Sequence, residues 1–284
     1  MEKKPYFSEE SVPFELNLHI SNDVLYAVHN AGFFSCTSIA LFNLIRYFNI
    51  YKKLPRHFDR SHQYSYYKIS QNSDLTPLYY LSNNTNIDIP YQKNVEVVVP
   101  DDGSSPQFSD YRTVCISDIK PFVDKYFQIS EHVSGVIEKF ESKYDFDYEN
   151  LCSVLYRGND KSKETTLATH EEFLEKCAEV KKENPNIRFL VQTDEYEFLE
   201  KFLSVYEDSL YIKEVPNIRK SDTAVHYVID RSTLPFFAAD FLAATVCVSK
   251  CKHLVTHSGN CGLWAVLYRG SMENVHQYLV DKWL

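Results

Sequence analysis

The sequence predicts an α/β protein whose second half is a parallel sheet flanked by helices, on three observations. From residue 151 onward, short apolar runs alternate with helix-length amphipathic segments. Thr169-x-x-Glu172 is a capping box, which marks the start of the first of those helices. The first half opens with a strand-like run, a small-residue turn and a helical pattern.

The opening strand is Val24-Leu25-Tyr26-Ala27-Val28, broken by His29-Asn30-Ala31-Gly32. A helix follows from about Ser35, with Ile39, Leu41, Phe42, Leu44, Ile45 and Phe48 apolar. Residues 52–95 are rich in Tyr, Asn, Ser and His, and their weak periodicity assigns no element. Glu96-Val97-Val98-Val99 reads as a strand ended by the turn Pro100-Asp101-Asp102-Gly103. Residues 119–126 and 133–144 read as helices. Strands follow at 151–156, 188–192, 210–212 and 253–256, with helices from the Thr169 cap to Pro185 and at 195–206, 234–248 and 262–269. Strands alternating with such helices imply crossovers and a parallel, Rossmann-like sheet. The expected division is an N-terminal α/β domain at 1–148, a Rossmann-like domain at 149–271 and a C-terminal helix at 272–284 that packs back on the first domain.

Composition narrows the function. With 284 residues, 44% of them apolar and 24% charged, the chain can bury a sizeable core. A net charge of −9 argues against nucleic acid as a partner, so any phosphate site must be a local basic pocket. No apolar run approaches the roughly 18–20 residues of a membrane span, and the polar start lacks a signal-peptide core. Seven scattered cysteines do not form a secreted disulfide framework, so a reducing, cytoplasmic compartment is expected.

The chemistry gathers at strand ends. Leu155-Tyr156-Arg157-Gly158-Asn159-Asp160-Lys161-Ser162-Lys163-Glu164 follows an apolar strand, where ligands bind in open α/β sheets. Arg157 can fork onto phosphate oxygens, or it can pair with an aspartate at the surface. His257-Ser258-Gly259-Asn260-Cys261-Gly262 lies between a strand and a helix. It reads either as an anion-binding helix N-terminus or as an ordinary cap. Thr193-Asp194 forms a third loop on the same edge, able to orient a ligand hydroxyl or to cap a helix. Asp240 inside an apolar helix needs a partner, either a base or ribose donor or a neighbouring loop. Cys247, Cys251, His253 and His257 have zinc-ligand types without zinc-ligand spacing. Asp145-Phe146-Asp147 resembles a metal-diphosphate motif but precedes its strand, and a manganese-dependent transferase built on it is a rival reading. Neither a GxxxxGK[ST] loop nor a GxSxG elbow is present.

Arg157-x-x-Asp160-Lys161, Phe189-Leu190-Val191-x-Thr193-Asp194 and the helix-strand-Ser-Gly-Asn-helix block at 240–269 occur in this order. Together they resemble the donor half of GT-B glycosyltransferases of the α1,6-fucosyltransferase and nodulation-fucosyltransferase group, with protein O-fucosyltransferases more distant. The resemblance covers roughly residues 150–270; the strand, His29-Asn30-Ala31-Gly32 turn and helix match the start of the acceptor-side domain in outline. It implies two Rossmann-like domains facing a cleft, with His29, Asn30 and Gly32 on its N-terminal side. Arg157 then holds the donor diphosphate, helped by Lys161, and Ser258 with its neighbouring amides binds the β-phosphate. Asp240 lies near the aspartate that contacts guanine. Glu164, beside Asp160, lies within a residue of the carboxylate that deprotonates the acceptor. Thr193, Asp194, His257, Gly259 and Asn260 complete the donor wall. The chain departs from the family at Leu155, where a histidine is common, and at Gly158, where a second arginine is common. The implied reaction is inverting transfer of a sugar to a glycan acceptor, first of fucose from GDP-fucose, then from another nucleotide sugar such as UDP-xylose. It needs no metal and no cofactor beyond that co-substrate. A binding protein that keeps the fold without turnover is the alternative from another class.

Overall fold

The computed structural model describes residues 19–21, 24–81, 89 and 106–283. The expected strand at 96–99 and its turn lie outside them. The first sheet has three short strands, β1 (His19–Ser21), β2 (Val24–Tyr26) and β3 (His57–Asp59), in that order. β1 runs antiparallel to β2, and β2 parallel to β3. A parallel pair needs a crossover, which α1 (Phe33–Tyr51) supplies. Its apolar residues are buried almost throughout, and it stops at Lys52, whose left-handed backbone (φ 53°) closes the last turn on Phe48. The short α2 (Thr76–Tyr79), α3 (Ile116–Tyr126) and α4 (Glu131–Tyr144) follow; Ser130 caps α4 by accepting from the Val133 amide.

The second sheet has the strands β4 (Leu151–Tyr156), β5 (Arg188–Thr193), β6 (Leu210–Tyr211), β7 (His253–His257), β8 (Val275–Leu279) and β9 (Lys282–Trp283). Their spatial order is β6-β5-β4-β7-β8-β9, parallel throughout except for the β8–β9 pair. Every residue of β4 is buried, which is why its sequence, apolar except for Ser153, shows no alternation. α5 (His170–Glu183) and α6 (Tyr196–Val205) cover one face, through Phe173, Phe198 and Phe202 packed on Phe189 and Val191. α7 (Leu234–Lys250) and α8 (Asn260–Arg269) cover the other, and their core is continuous with that of α1, α3 and α4. The capping box at Thr169 is formed as expected: the hydroxyl accepts from the Glu172 amide while Glu172 accepts from the Thr169 amide.

From β4 the chain steps outward through β5 to β6, then returns to β7 on the other side of β4. Loops leaving β4 and β7 therefore diverge, and the crevice between them is where such a sheet receives a ligand.

One reading changes. The expected helix at 272–284 is not found among the described residues: Val275–Leu279 lies parallel beside β7 and turns into β9. The segment covers the edge of β7, whose backbone groups would otherwise be unpaired. Cys247, Cys251, His253 and His257 are not gathered, because β7 holds the two histidines about 13 Å apart along the strand. Asp145 takes the left-handed C-cap of α4, and Asp147 accepts from the Asn150 side chain, at the sheet edge away from the crevice.

Candidate active site

A cleft of about 370 Å³ opens at the crevice, lined from both halves of the chain. The first half contributes residues 30–35, Tyr66 and Tyr67. The second contributes Arg157, Asp160, Lys161 and Glu164 after β4, Thr193 and Asp194 at the end of β5, and residues 256–262 around the start of α8. Of the expected site residues, Asn30, Gly32, Arg157, Asp160, Lys161, Glu164, Thr193, Asp194, His257, Ser258, Gly259 and Asn260 line it. His29 sits just behind, its Nε2 3.0 Å from the Ser35 hydroxyl.

Arg157 is the hub. Its Nε donates to Asp194 at 2.7 Å, one terminal nitrogen to Asp160 at 2.8 Å, and the other to the Cys261 sulfur at 2.9 Å. The two carboxylates thus orient the guanidinium. Arg157 forms the aspartate pairing, one of its two readings, and it lines the cleft. Asp194 also accepts from the Gly158 amide at 2.9 Å, and its carbonyl from the Asn159 side chain at 2.6 Å. Of the two readings of Asp194, a ligand-hydroxyl contact or a cap, the carboxylate is seen tying the loop after β4 to the end of β5. Thr193 accepts from the Glu195 amide and so shapes the turn into α6.

His257 lines the cleft and also positions the loops around it. The Arg157 amide can only donate, so Nε2 of His257 accepts it at 2.8 Å, and the proton sits on Nδ1, 2.8 Å from the Ser258 carbonyl. Burial, followed by the nearby Arg157 and Lys161 charges, pushes its pKa down to about 4. The ring is a neutral brace between the two loops of the crevice.

Lys161 reaches across to the start of α8. A Cβ on Gly259 would lie 2.9 Å from Lys161 Cε, and the glycine's φ of +142° disfavours any side chain. Its ammonium contacts Glu164 at 2.5 Å and Gln107 at 3.1 Å, and lies over the Phe108 ring. The first turn of α8 leaves amides without intrahelical acceptors, and the helix dipole adds positive potential there. Arg157, Lys161 and this helix end therefore bring two cations and a helix dipole to one corner of the cleft, with Asp160, Asp194 and Glu164 paired to the cations. Two expected members of the corner also hold the frame. Asn260 accepts from the Ser38 hydroxyl of α1 and donates to Gln107. Ser258 is tied by its amide and hydroxyl to the Tyr278 carbonyl on β8.

Asp240 is displaced from the cleft. Phe237 and Phe241 of α7 line it, whereas Asp240 feels Glu214 and Lys139 on the α4 side. Burial first, and Glu214 second, raise its pKa to about 6. Gly158 also has a steric reason: a Cβ there would fall 1.9 Å from Glu195 Oε2. Glu195 is fully buried and bonded to His170 at 2.7 Å and Lys220 at 3.3 Å.

Several participants carried little sequence signal. The Tyr111 hydroxyl donates to the Gly259 carbonyl and accepts its amide, clamping the loop before α8 from a distant segment. His226 lines the cleft in an aromatic stack with Tyr66 and Tyr227, and burial lowers its pKa. Gln192, a polar residue ending a run of apolar ones in β5, was the one legible signal.

No protein-family model matches the chain, and no curated protein matches it in sequence. Among solved structures it is similar to the fucosyltransferase NodZ from Bradyrhizobium, with a TM-score of 0.57 and 10% identity over 92% of this chain and 98% of that one. The fold resembles that of a GT-B fucosyltransferase. Two further structures align with lower TM-scores and 10% identity: a NodZ α-1,6-fucosyltransferase soaked with GDP-fucose (0.41, 60% of this chain) and an Arabidopsis thaliana FUT1 mutant with GDP (0.40, 97% of this chain). This chain spans only 52% and 56% of their lengths. No helix among the described residues is long and apolar enough to cross a membrane.

Proposed function

We propose that the protein is a glycosyltransferase that binds a nucleotide-sugar donor in the cleft and transfers the sugar to a glycan hydroxyl with inversion. The observation that carries this is the convergence of Arg157, Lys161 and the α8 N-terminus on one cleft that also holds the Glu164 carboxylate. In the reaction the acceptor oxygen attacks the anomeric carbon and the bond from that carbon to the diphosphate breaks. The acceptor proton passes to Glu164, and the bonding electrons leave with the nucleoside diphosphate. The growing charge falls on Arg157, Lys161 and the helix amides, already oriented before the reaction. These groups neutralise the diphosphate without a metal. The Lys161–Glu164 pair gives the lysine a second duty, since its release to the diphosphate frees the carboxylate to take a proton. Fucose from GDP-fucose is the first donor reading, and another nucleotide sugar such as UDP-xylose the second.

Calorimetry with GDP, UDP and their sugars tests this directly: binding by at least one is expected, and binding by none would sink the proposal. Glu164→Gln should leave donor affinity within about twofold and slow transfer by about 10²-fold or more. An unchanged rate would move the base elsewhere.

The engagement of three of the five Arg157 N–H groups by Asp194, Asp160 and Cys261 favours one second reading, a nucleotide- or carbohydrate-binding protein without turnover. Donor binding with neither transfer nor hydrolysis across an acceptor panel would select it.

A further inference from the structure

Gln192 on β5 stands in register with Leu155 on β4, which pairs in turn with Thr256 on β7. The three side chains form a row across the crevice, and Leu155 and Thr256 lie two residues before Arg157 and Ser258. All three line the cleft, as do Val215, Phe237 and Phe241. The row thus lies beside Arg157, Lys161 and the α8 N-terminus, and apart from its amide and hydroxyl it is apolar. Thr256 spends its hydroxyl on backbone carbonyls. Gln192 does not: only 5% exposed, its Oε1 is buried without a hydrogen-bond partner. A buried acceptor left unsatisfied weakens the folded state, and native structures keep few of them without a purpose. Leu155 offers no polar atom, and Asp240 faces α4.

We propose that this row is the base subsite for the donor nucleotide, and that Gln192 is the residue that reads the base. The inference rests on the donor reading above. The apolar residues suit the faces of a flat heteroaromatic ring, and the carboxamide presents an acceptor beside a donor. Its complement is a ring N–H beside a carbonyl, the edge shared by guanine and uracil.

The test is titration of the full chain and its Gln192→Leu variant with pyrophosphate, GDP and UDP, alongside thermal melting of each without ligand. Wild type should bind the preferred nucleotide more tightly than pyrophosphate, and the choice between GDP and UDP identifies the base. Gln192→Leu should melt no lower than wild type, because it removes an orphaned polar group. It should keep its pyrophosphate affinity and lose about tenfold for the nucleotide. A lowered melting temperature, an unchanged nucleotide affinity, or a parallel loss for pyrophosphate would each overturn the proposal. Wild-type binding of pyrophosphate as tightly as either nucleotide would refute the base subsite while leaving the phosphate corner standing. Failure to bind pyrophosphate and both nucleotides would remove the donor reading itself, and the base subsite with it.

Discussion

Arg157 is held in place by groups that a ligand does not have to supply. Asp194, with its side chain 7% exposed, depends on the guanidinium for charge compensation, so the pair is structural as well as functional. Arg157→Ala should reduce donor affinity about 10- to 100-fold and also lower stability by roughly 2–3 kcal/mol, because it strands a buried carboxylate. Titration calorimetry and denaturant melts check the two parts; full donor affinity in the variant would refute the phosphate role. His257 gives a pH signature. Its folded pKa of about 4 lies below the ordinary 6.5, so the unfolded chain binds more protons between these values. The stability contributed by its neutral form is complete above pH 6.5 and is lost as pH falls toward 4, by up to about 3 kcal/mol. His257→Gln should flatten that acid limb in melts recorded across this window; an unaltered limb would assign it to other groups.

At the scale of elements, α8 is seated by glycine. A Cβ on Gly262 would lie 2.9 Å from both the His257 carbonyl and Thr256 Oγ1, backbone and short side chain that cannot swing away. Gly262→Ala should therefore destabilise the protein by about 1–3 kcal/mol and weaken anion binding together, since it lifts the helix end from β7. Wild-type melting and wild-type phosphate affinity in this variant would refute the close seating. α7 carries the opposite kind of feature, a carboxylate in an otherwise apolar helix. The Asp240 pKa is raised from 3.8 to about 6, so the folded protein holds the extra proton and stability falls as pH rises through this interval. Asp240→Asn should raise stability at pH 7 by about 1 kcal/mol, after discounting for solvent screening, and remove that slope. Its donor affinity should match wild type, because the residue faces α4; a large loss would return it to the cleft.

Across the whole molecule, the site is an interface between halves distant in sequence. The Ser38 hydroxyl bonds Asn260 at 2.8 Å and receives the Trp264 indole N–H at 2.9 Å, tying α1 to α8. Tyr111 and Gln107 reach the same corner from the segment before α3. Gln277 of β8 accepts from the Tyr111 amide and donates to the Ser258 hydroxyl, so the C-terminal hairpin braces the loop it borders. These contacts fix the cleft walls around a common frame, which is the arrangement that preorganised charge stabilisation requires.

Local pattern determined much of this protein. The largely apolar β4, the capping box before α5 and the helix–strand alternation after residue 151 were legible because burial on both faces and cap chemistry write themselves into short windows. The order of the loops after β4, β5 and β7 located the cleft, because parallel strands place their ends on one edge. Tertiary structure alone decided which side chains face that cleft. Asp240 and Phe241 are adjacent in sequence, yet a helix turns them 100° apart and packing gives one to α4 and the other to the site. It also decided that the C-terminal segment joins the sheet, since the edge of β7 is created only once that sheet exists. The assignment of Asp194 to Arg157, of His257 to the frame and of Gln192 to the row beside Leu155 depends on register between strands about 35 to 100 residues apart. No local window contains that information.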